Sequence, residues 1–315
     1  MSPPEVTGTL MAMLRADPAV LDLTVLPAGA THPDGDAVEF DLLHGAANGV
    51  VGRLREMGLE ERGSIMLENV DTALSALADR TSARRGRYHE ITPVWPEIEA
   101  KIELGGVYPP SWFGLLVIAG LIGAVGILTN SQILIVGAMV VGPEYGAILS
   151  IALGVTRGDL ARVRRGTAAL LVGFGLAVAG ALLLSLVVRW TGQEPQAYAL
   201  GLRPVSNLID EPNWFSLIVA LLAGVVGVLS LTEARASTLI GVFISVTTIP
   251  AASDVGVSLA FGSTSEAGGS ALQLLLNVTV LTAVATAGLP LQRSVWEHMG
   301  RRQVTGAATA SGTGG

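Results

Sequence analysis

Two carboxylates stand where carboxylates are rarely found. Glu144 and Asp254 each lie inside a long apolar stretch, one to four residues after a proline, Pro143 or Pro250. Proline removes a backbone donor and clashes with the preceding turn, so a helix that carries it kinks or breaks. A broken helix exposes N–H and C=O ends that can bind ions or anionic groups. A carboxylate at mid-bilayer costs ~2.5–3.5 kcal/mol on insertion scales, so each is expected to face a cavity or a partner. Paired carboxylates at matching breaks could carry protons or Na⁺; the alternative places each at a helix end near water. Asn130, Ser131, Thr247, Thr248, Ser253 and Asn277 are the polar residues of the same stretches. With Pro143, Glu144, Pro250 and Asp254 they form the candidate substrate- or ion-binding set. For each polar side chain the competing role is an interhelical or backbone hydrogen bond, worth ~0.6 kcal/mol on average.

The elements that must hold these residues are apolar. Of 315 residues, 50% are hydrophobic and only 14% charged, against about 25% charged in a water-soluble domain. Six apolar segments, 112–130, 131–156, 166–189, 214–231, 236–261 and 270–291, can each cover a hydrocarbon core of ~30 Å at ~1.5 Å per residue. The lipid bilayer is therefore the first expected partner. The charge is uneven: residues 1–111 carry a net of −8 and residues 112–315 a net of +1. An acidic leading portion is a poor nucleic-acid binder, because phosphate contacts need Lys and Arg.

Cysteine is absent, and His32, His44, His89 and His298 all lie outside the apolar segments. No catalytic triad, P-loop or dinucleotide fingerprint is present. An enzyme, a cofactor and a metal site are not expected.

The halves of the apolar region resemble each other. Leu121-Ile122-Gly123-Ala124-Val125-Gly126-Ile127-Leu128 aligns with Leu222-Ala223-Gly224-Val225-Val226-Gly227-Val228-Leu229. In each half the next segment has a serine near its start, Ser131 or Ser237, and then a proline-broken centre. Three spans per copy is an odd number, so the second copy would be inserted upside down, a common plan of secondary transporters. The competing explanation is chance likeness among Gly/Leu/Val-rich helices. The expected fold is a six-helix 3+3 inverted repeat at 112–291, with broken second and fifth helices.

Residues 1–80 read as a cytoplasmic α+β, ferredoxin-like domain, since no signal peptide opens the chain. The expected order is a helix at 5–15, then a strand at 19–26 closed by Pro27-Ala28-Gly29. A turn follows at 31–36, then a strand at 37–43 with Val38, Phe40 and Leu42 on one face. A helix at 44–57 buries Val50, Val51, Leu54 and Met57. A third strand at 63–67 and a helix at 71–79, capped by Asn69 or Asp71, complete it. His44 to Gly49 opens the second helix and is either an anion cradle or a strand-to-helix turn.

Residues 81–111 read as a linker and interfacial helix. Arg80, Arg84, Arg85 and Arg87 meet either solvent or anionic headgroups. Trp95, Ile98, Ile102 and Leu104 are assigned one apolar face. Residues 292–315 read as a flexible cytoplasmic tail.

The run Asn130-Ser131-Gln132-Ile133-Leu134-Ile135-Val136-Gly137-Ala138-Met139-Val140-Val141-Gly142-Pro143, then Gly146-Ala147-Ile148-Leu149 and Gly154, resembles the signature of domain-of-unknown-function family 389. Ile240-Gly241-Val242 to Ile249-Pro250, and Leu274-Leu275-Leu276-Asn277, resemble it as well. The resemblance covers roughly 105–291 and implies a multi-pass protein of a prokaryotic cytoplasmic membrane. That family usually has Ser before the first proline and Leu-Met after it, where this chain has Gly142 and Glu144-Tyr145. It often has a second proline after Pro250, where this chain has Ala251. The resemblance supplies no activity. The residues favour a transporter or channel for a small solute or ion, tuned by the leading domain and assembled as a homo-oligomer. The rival is a membrane-anchored sensor or oligomeric scaffold.

Arg157, Arg162, Arg164 and Arg165 fall in one expected loop, with Arg235, Arg293, Arg301 and Arg302 on the same side. Positive loops stay in the cytoplasm, so both termini are expected there and residues 190–213 outside. The absence of native cysteine makes labelling clean. A cysteine at Gln196 is expected to react with impermeant thiol reagents applied to whole cells; reaction with permeant reagents alone reverses the orientation.

Overall fold

The computed structural model describes residues 1–32, 34–68, 70, 93–196, 209, 213–231 and 248–311. Several expectations lie outside these residues. They are Pro33, the caps Asn69 and Asp71, the helix at 71–79, the arginines at 80–87, Arg203, Arg235, the 236–247 part of the fifth apolar segment, and Thr247. The chain divides into two compact units, Met1–Ala100 and Lys101–Gly315.

In the first unit, α1 (Pro4–Ala16) starts with proline at its first position, where the missing N–H costs nothing. Its buried residues Thr7, Leu10 and Leu14 recur at helical spacing. Two antiparallel strands follow, β1 (Val20–Thr31) and β2 (Asp34–Leu42). Pro27-Ala28-Gly29 does not end the first strand, as expected from composition. It forms an irregularity within β1, between Leu26 and Ala30, with Ala28 at φ 52°. The Asp36 carboxylate steadies this kink by accepting from the Ala28 N–H at 2.9 Å. A short 3₁₀ turn (His44–Ala46) leads into α2 (Ala47–Glu56), which buries Val50, Val51 and Leu54 as the periodicity predicts. The helix opening serves the chain itself: Asn48 accepts from Trp95 N–H at 2.9 Å and donates to Pro93 O at 2.8 Å.

A small helix, α3 (Leu59–Arg62), was not expected. The third strand at 63–67 does not form. Ser64 instead exchanges bonds with Met1, whose amino group donates to Ser64 O at 2.8 Å. The sheet has two strands among the described residues, so a ferredoxin-like sandwich is not seen. Leu10, Leu14, Val50, Leu54 and Leu59 form the core, covered by Val38, Phe40, Leu42 and Ile65.

The second unit is helical. α4 (Trp95–Gly105) crosses the division between units and buries Trp95, Ile98 and Ile102. Leu104 is 75% exposed and does not share that face, because two residues past Ile102 is over half a turn away. Then come α5 (Pro110–Leu128), α6 (Gln132–Val141), α7 (Glu144–Arg157), α8 (Leu160–Trp190), α9 (Trp214–Ser230), α10 (Ile249–Ala260) and α11 (Thr264–Ser311).

Among the described residues, Pro110–Leu128, Leu160–Trp190 and Thr264–Trp296 are long and apolar enough to cross a membrane. α6 and α7 make a fourth if the bent pair is one span; they meet at 49° across Gly142-Pro143. α9 and α10 are apolar but shorter. Among the described residues there are thus three to four such spans, where six were expected over the whole chain.

The four-arginine loop is also corrected. Only Gly158 and Asp159 lie between α7 and α8, and Arg162, Arg164 and Arg165 ride on the first turns of α8. A 31-residue helix is about 46 Å long, so its ends extend beyond a ~30 Å core. Residues 292–311 continue α11, where a tail was expected.

Small residues set the packing. An added Cβ at Gly120 would sit 2.8 Å from Ala177 O, and one at Gly256 2.5 Å from Val178 O. α8 therefore meets α5 and α10 nearly backbone to backbone, the close approach that small residues allow between membrane helices. α8 also packs on α7, and α11 packs on α7, α9 and α10. Gly158 and Gly262 take φ of 70° and 79°, and each closes the preceding helix in the left-handed conformation that glycine tolerates. Leu171, Leu183, Leu222 and Leu275 point outward, an apolar surface suited to lipid.

The first unit yields a test. Expressed alone, residues 1–100 are expected to melt cooperatively, and Leu14→Ala to cost about 2–5 kcal/mol. The Ala28 N–H holds the Asp36 carboxyl below its ordinary 3.8. A depressed folded pKa adds stability above the unfolded pKa, lost as pH falls through the folded value. Stability of the fragment is therefore expected to drop as pH falls below 3.8, and Asp36→Asn to flatten that slope. An unchanged slope in the variant, read by circular dichroism melts, contradicts this role.

Candidate functional site

The break in the second apolar segment builds the site. Pro143 stands at the start of α7 and cannot donate; its own carbonyl accepts from the Trp112 indole N–H at 3.3 Å. Glu144 is then the first residue of α7, and the positive end of the helix dipole favours its carboxylate there. The side chain is fully buried. Its Oε1 accepts a 2.7 Å hydrogen bond from the Thr248 hydroxyl.

Thr248 immediately precedes α10, whose second residue is Pro250. That position tolerates proline, since the first N–H groups of a helix have no intrahelical acceptor. Two helix starts, each marked by a proline, thus meet through one hydrogen bond between residues 104 apart.

Gly142 explains a departure noted in the sequence. A Cβ there would run into Glu144 Oε2 and lie 2.9 Å from Ile249 Cγ1. A serine before Pro143 would collide with the folded-back carboxylate. The glycine and the glutamate belong together.

Asp254 occupies a second setting on α10. It is fully buried, and its Oδ2 accepts from Ser270 Oγ at 2.6 Å and from Ser258 Oγ at 3.4 Å. Thr248 and Asp254 are six residues apart, about 9 Å along the helix axis. Glu144 and Asp254 thus engage different stations of α10. Ser253 is also fully buried; its hydroxyl lies 2.9 Å from Ile249 O and 3.1 Å from Gly120 O, and it ties α10 to α5. Gly123 leaves the space that Ser253 fills.

Asn277 is fully buried on α11 and accepts from Gln273 Nε2 at 3.1 Å. Ser270, Gln273 and Asn277, spaced three and four apart, share the buried face of α11. Arg189 caps α10 from α8, donating to Ala260 O at 2.7 Å and lying 5.9 Å from the Phe261 ring centroid.

Asn130 and Ser131 stand apart from these groups. Asn130 takes φ 51° after α5, with Asn130 N–H on Ile127 O and Ser131 N–H on Gly126 O. That pair of bonds is a Schellman closure. The Ser131 hydroxyl then accepts from Leu134 N–H at 3.4 Å as the cap of α6. Both residues end one helix and begin the next. Thr247 lies outside the described residues.

Ser258, Ser270, Gln273, Trp112 and Arg189 were not singled out in the sequence. A signal existed for three: Ser258 is four residues past Asp254, and Ser270 and Gln273 lead to Asn277 at helical spacing.

Where α7 ends and α8 begins, Glu103 accepts from Arg157 at 3.2 Å and from Arg162 at 3.1 Å. Asp159 caps α8 by accepting from the Arg162 N–H, which holds its carboxyl below the usual range.

Gly142→Ala is expected to displace the Glu144 carboxylate and cost about 1–3 kcal/mol, the usual penalty of overpacking. Ile249→Val in the same chain is expected to recover part of that loss, because Ile249 is the other neighbour. Thermal stability of the purified full chain checks both. An alanine variant as stable as the parent contradicts the tight approach.

No curated protein and no solved structure matches the chain. Residues 139–283, which contain Glu144, Thr248, Asp254 and Asn277, match the family model described as Domain of unknown function (DUF389).

Proposed function

We propose that this chain is a multi-pass protein of a prokaryotic cytoplasmic membrane that moves a small solute or ion across the bilayer. One observation carries the reading: the fully buried Glu144 carboxylate, at the start of α7, is held by Thr248 at the start of α10. An ionisable group inside an apolar bundle marks a pathway or a binding site by default. Helix starts at interrupted spans are where transporters of repeated architecture bind their cargo.

The packing supports a repeat of two halves. α5 and α7 pack on α8, as α9 and α10 pack on α11. Across the halves α10 packs on α8 and α7 on α11, the same relation with the halves exchanged. In this reading the two halves are inverted, and α10 is the counterpart of α7. The arginine-rich end of α7 and α8 faces the cytoplasm, and the first unit tunes the pathway.

The test is flux into proteoliposomes of the purified full chain, screened over labelled monovalent cations and small organic anions. Glu144→Gln and Asp254→Asn are each expected to slow flux at least about tenfold, equivalent to ~1.4 kcal/mol, without loss of the folded protein. Normal flux in the double variant contradicts the assignment, as does the absence of flux for every solute screened.

A further inference from the structure

The oxygen atoms gathered between α10 and α11 have a composition of their own. Asp254 is fully buried and supplies a carboxylate. Ser258, one turn further on α10, and Ser270 on α11 converge on the same oxygen, Oδ2, at 3.4 Å and 2.6 Å. Both serines are also fully buried.

Gln273, 6% exposed, lies one turn beyond Ser270 on the same face of α11. Its amide nitrogen is committed to Asn277 Oδ1 at 3.1 Å, which fixes the orientation of the amide. Its Oε1 is buried and has no hydrogen-bond partner. A buried acceptor left without a donor is costly, and such groups call for an ion, a water or a role in function.

We propose that Asp254, Ser258, Ser270 and Gln273 form a site for a dehydrated monovalent alkali cation. The donor set is one carboxylate, two hydroxyls and one amide carbonyl, all hard oxygens of the kind that suit alkali and alkaline-earth ions over soft metals. One carboxylate balances one positive charge. Divalent ions held by protein oxygens draw on more carboxylates, and no group of three or more His, Cys, Asp or Glu able to hold a metal occurs among the described residues. The serine hydroxyls can serve the ion without moving their Oγ atoms. A hydroxyl has one proton and two lone pairs, so each can donate to Asp254 and still present a lone pair to a cation. Gln273 Oε1 adds an acceptor whose amide nitrogen is already engaged. The proposal rests on the transport reading for its purpose, since a cation bound here would be the coupling ion, but binding itself can be read without transport.

The experiment uses the purified full chain in nanodiscs, with NaCl against choline chloride at equal ionic strength. Two readouts are taken, ²²Na⁺ binding by scintillation proximity and the melting temperature. The parent is expected to bind Na⁺ saturably and to melt higher as NaCl replaces choline, since a ligand of the folded state stabilises it. Asp254→Asn and Gln273→Met are expected to weaken binding at least tenfold and abolish the melting shift. Ser230→Ala, a change on α9 where the hydroxyl donates to Gly227 O of its own helix, is expected to behave as the parent. If Asp254→Asn does not fold, Gln273→Met and Ser270→Ala decide the matter, as each removes one oxygen and no charge. The proposal is overturned if the parent binds no Na⁺, if these variants bind as the parent does, or if acidification in choline alone reproduces the shift. Flux without Na⁺ binding overturns the site and leaves the transport reading standing. Na⁺ binding without any flux does the reverse.

Discussion

A carboxylate with no exposed surface must find its partners within the protein, and Glu144 Oε1 finds one at the beginning of another helix. The cost of placing a carboxylate in a bilayer-spanning segment is ~2.5–3.5 kcal/mol on insertion scales. The positive end of α7 returns ~0.3–1 kcal/mol, up to ~2 when partly buried. A hydrogen bond to a charged group returns ~1.5–3 kcal/mol. These figures are of one size, so the Thr248 hydroxyl is a substantial part of what offsets the cost of burying the group. The local sequence follows from this. Gly142 is small because Glu144 Oε2 and Ile249 crowd it. Pro143 ends α6 and lets α7 start at Glu144, and Pro250 sits where α10 has donors to spare.

The rest of the bundle holds these two helix starts in place. α8 meets α5 and α10 through Gly120 and Gly256, and Ser253 joins α10 to α5 through Gly120 O. Arg189 fastens the far end of α10. α10 is therefore tied at its start to α7, along its length to α5 and α11, and at its end to α8. Lipid offers apolar surfaces no drive to associate with one another, so close packing and hydrogen bonds of this kind must supply the cohesion.

Much of this was legible in the sequence, because its signals are local. Hydropathy marked α5, α8 and α11, prolines marked the break between α6 and α7 and the start of α10, and rarity marked Glu144 and Asp254. What the sequence withheld were the meetings. Thr248 and Glu144 are 104 residues apart, and no periodicity links them. Ser258 and Ser270 looked like ordinary small residues until Asp254 Oδ2 was found between them. Asn130 and Ser131 misled in the opposite direction: polar residues at a helix junction satisfy the helix ends first. Pro27-Ala28-Gly29 misled because proline and glycine mark bulges as readily as strand ends. Gly63 to Leu67 had strand-like content, yet its partner was Met1 rather than a sheet edge.

The most direct test of the link between the two helix starts is a double-mutant cycle on Glu144→Gln and Thr248→Val. Unfolding free energies of the purified full chain are measured in mixed micelles for the parent, the two single variants and the double variant. Groups in direct hydrogen-bonded contact are expected to couple by about 0.5–3 kcal/mol, so the double variant should lose clearly less than the sum of the single losses. Strict additivity, with each change acting as though the other residue were absent, would contradict the account.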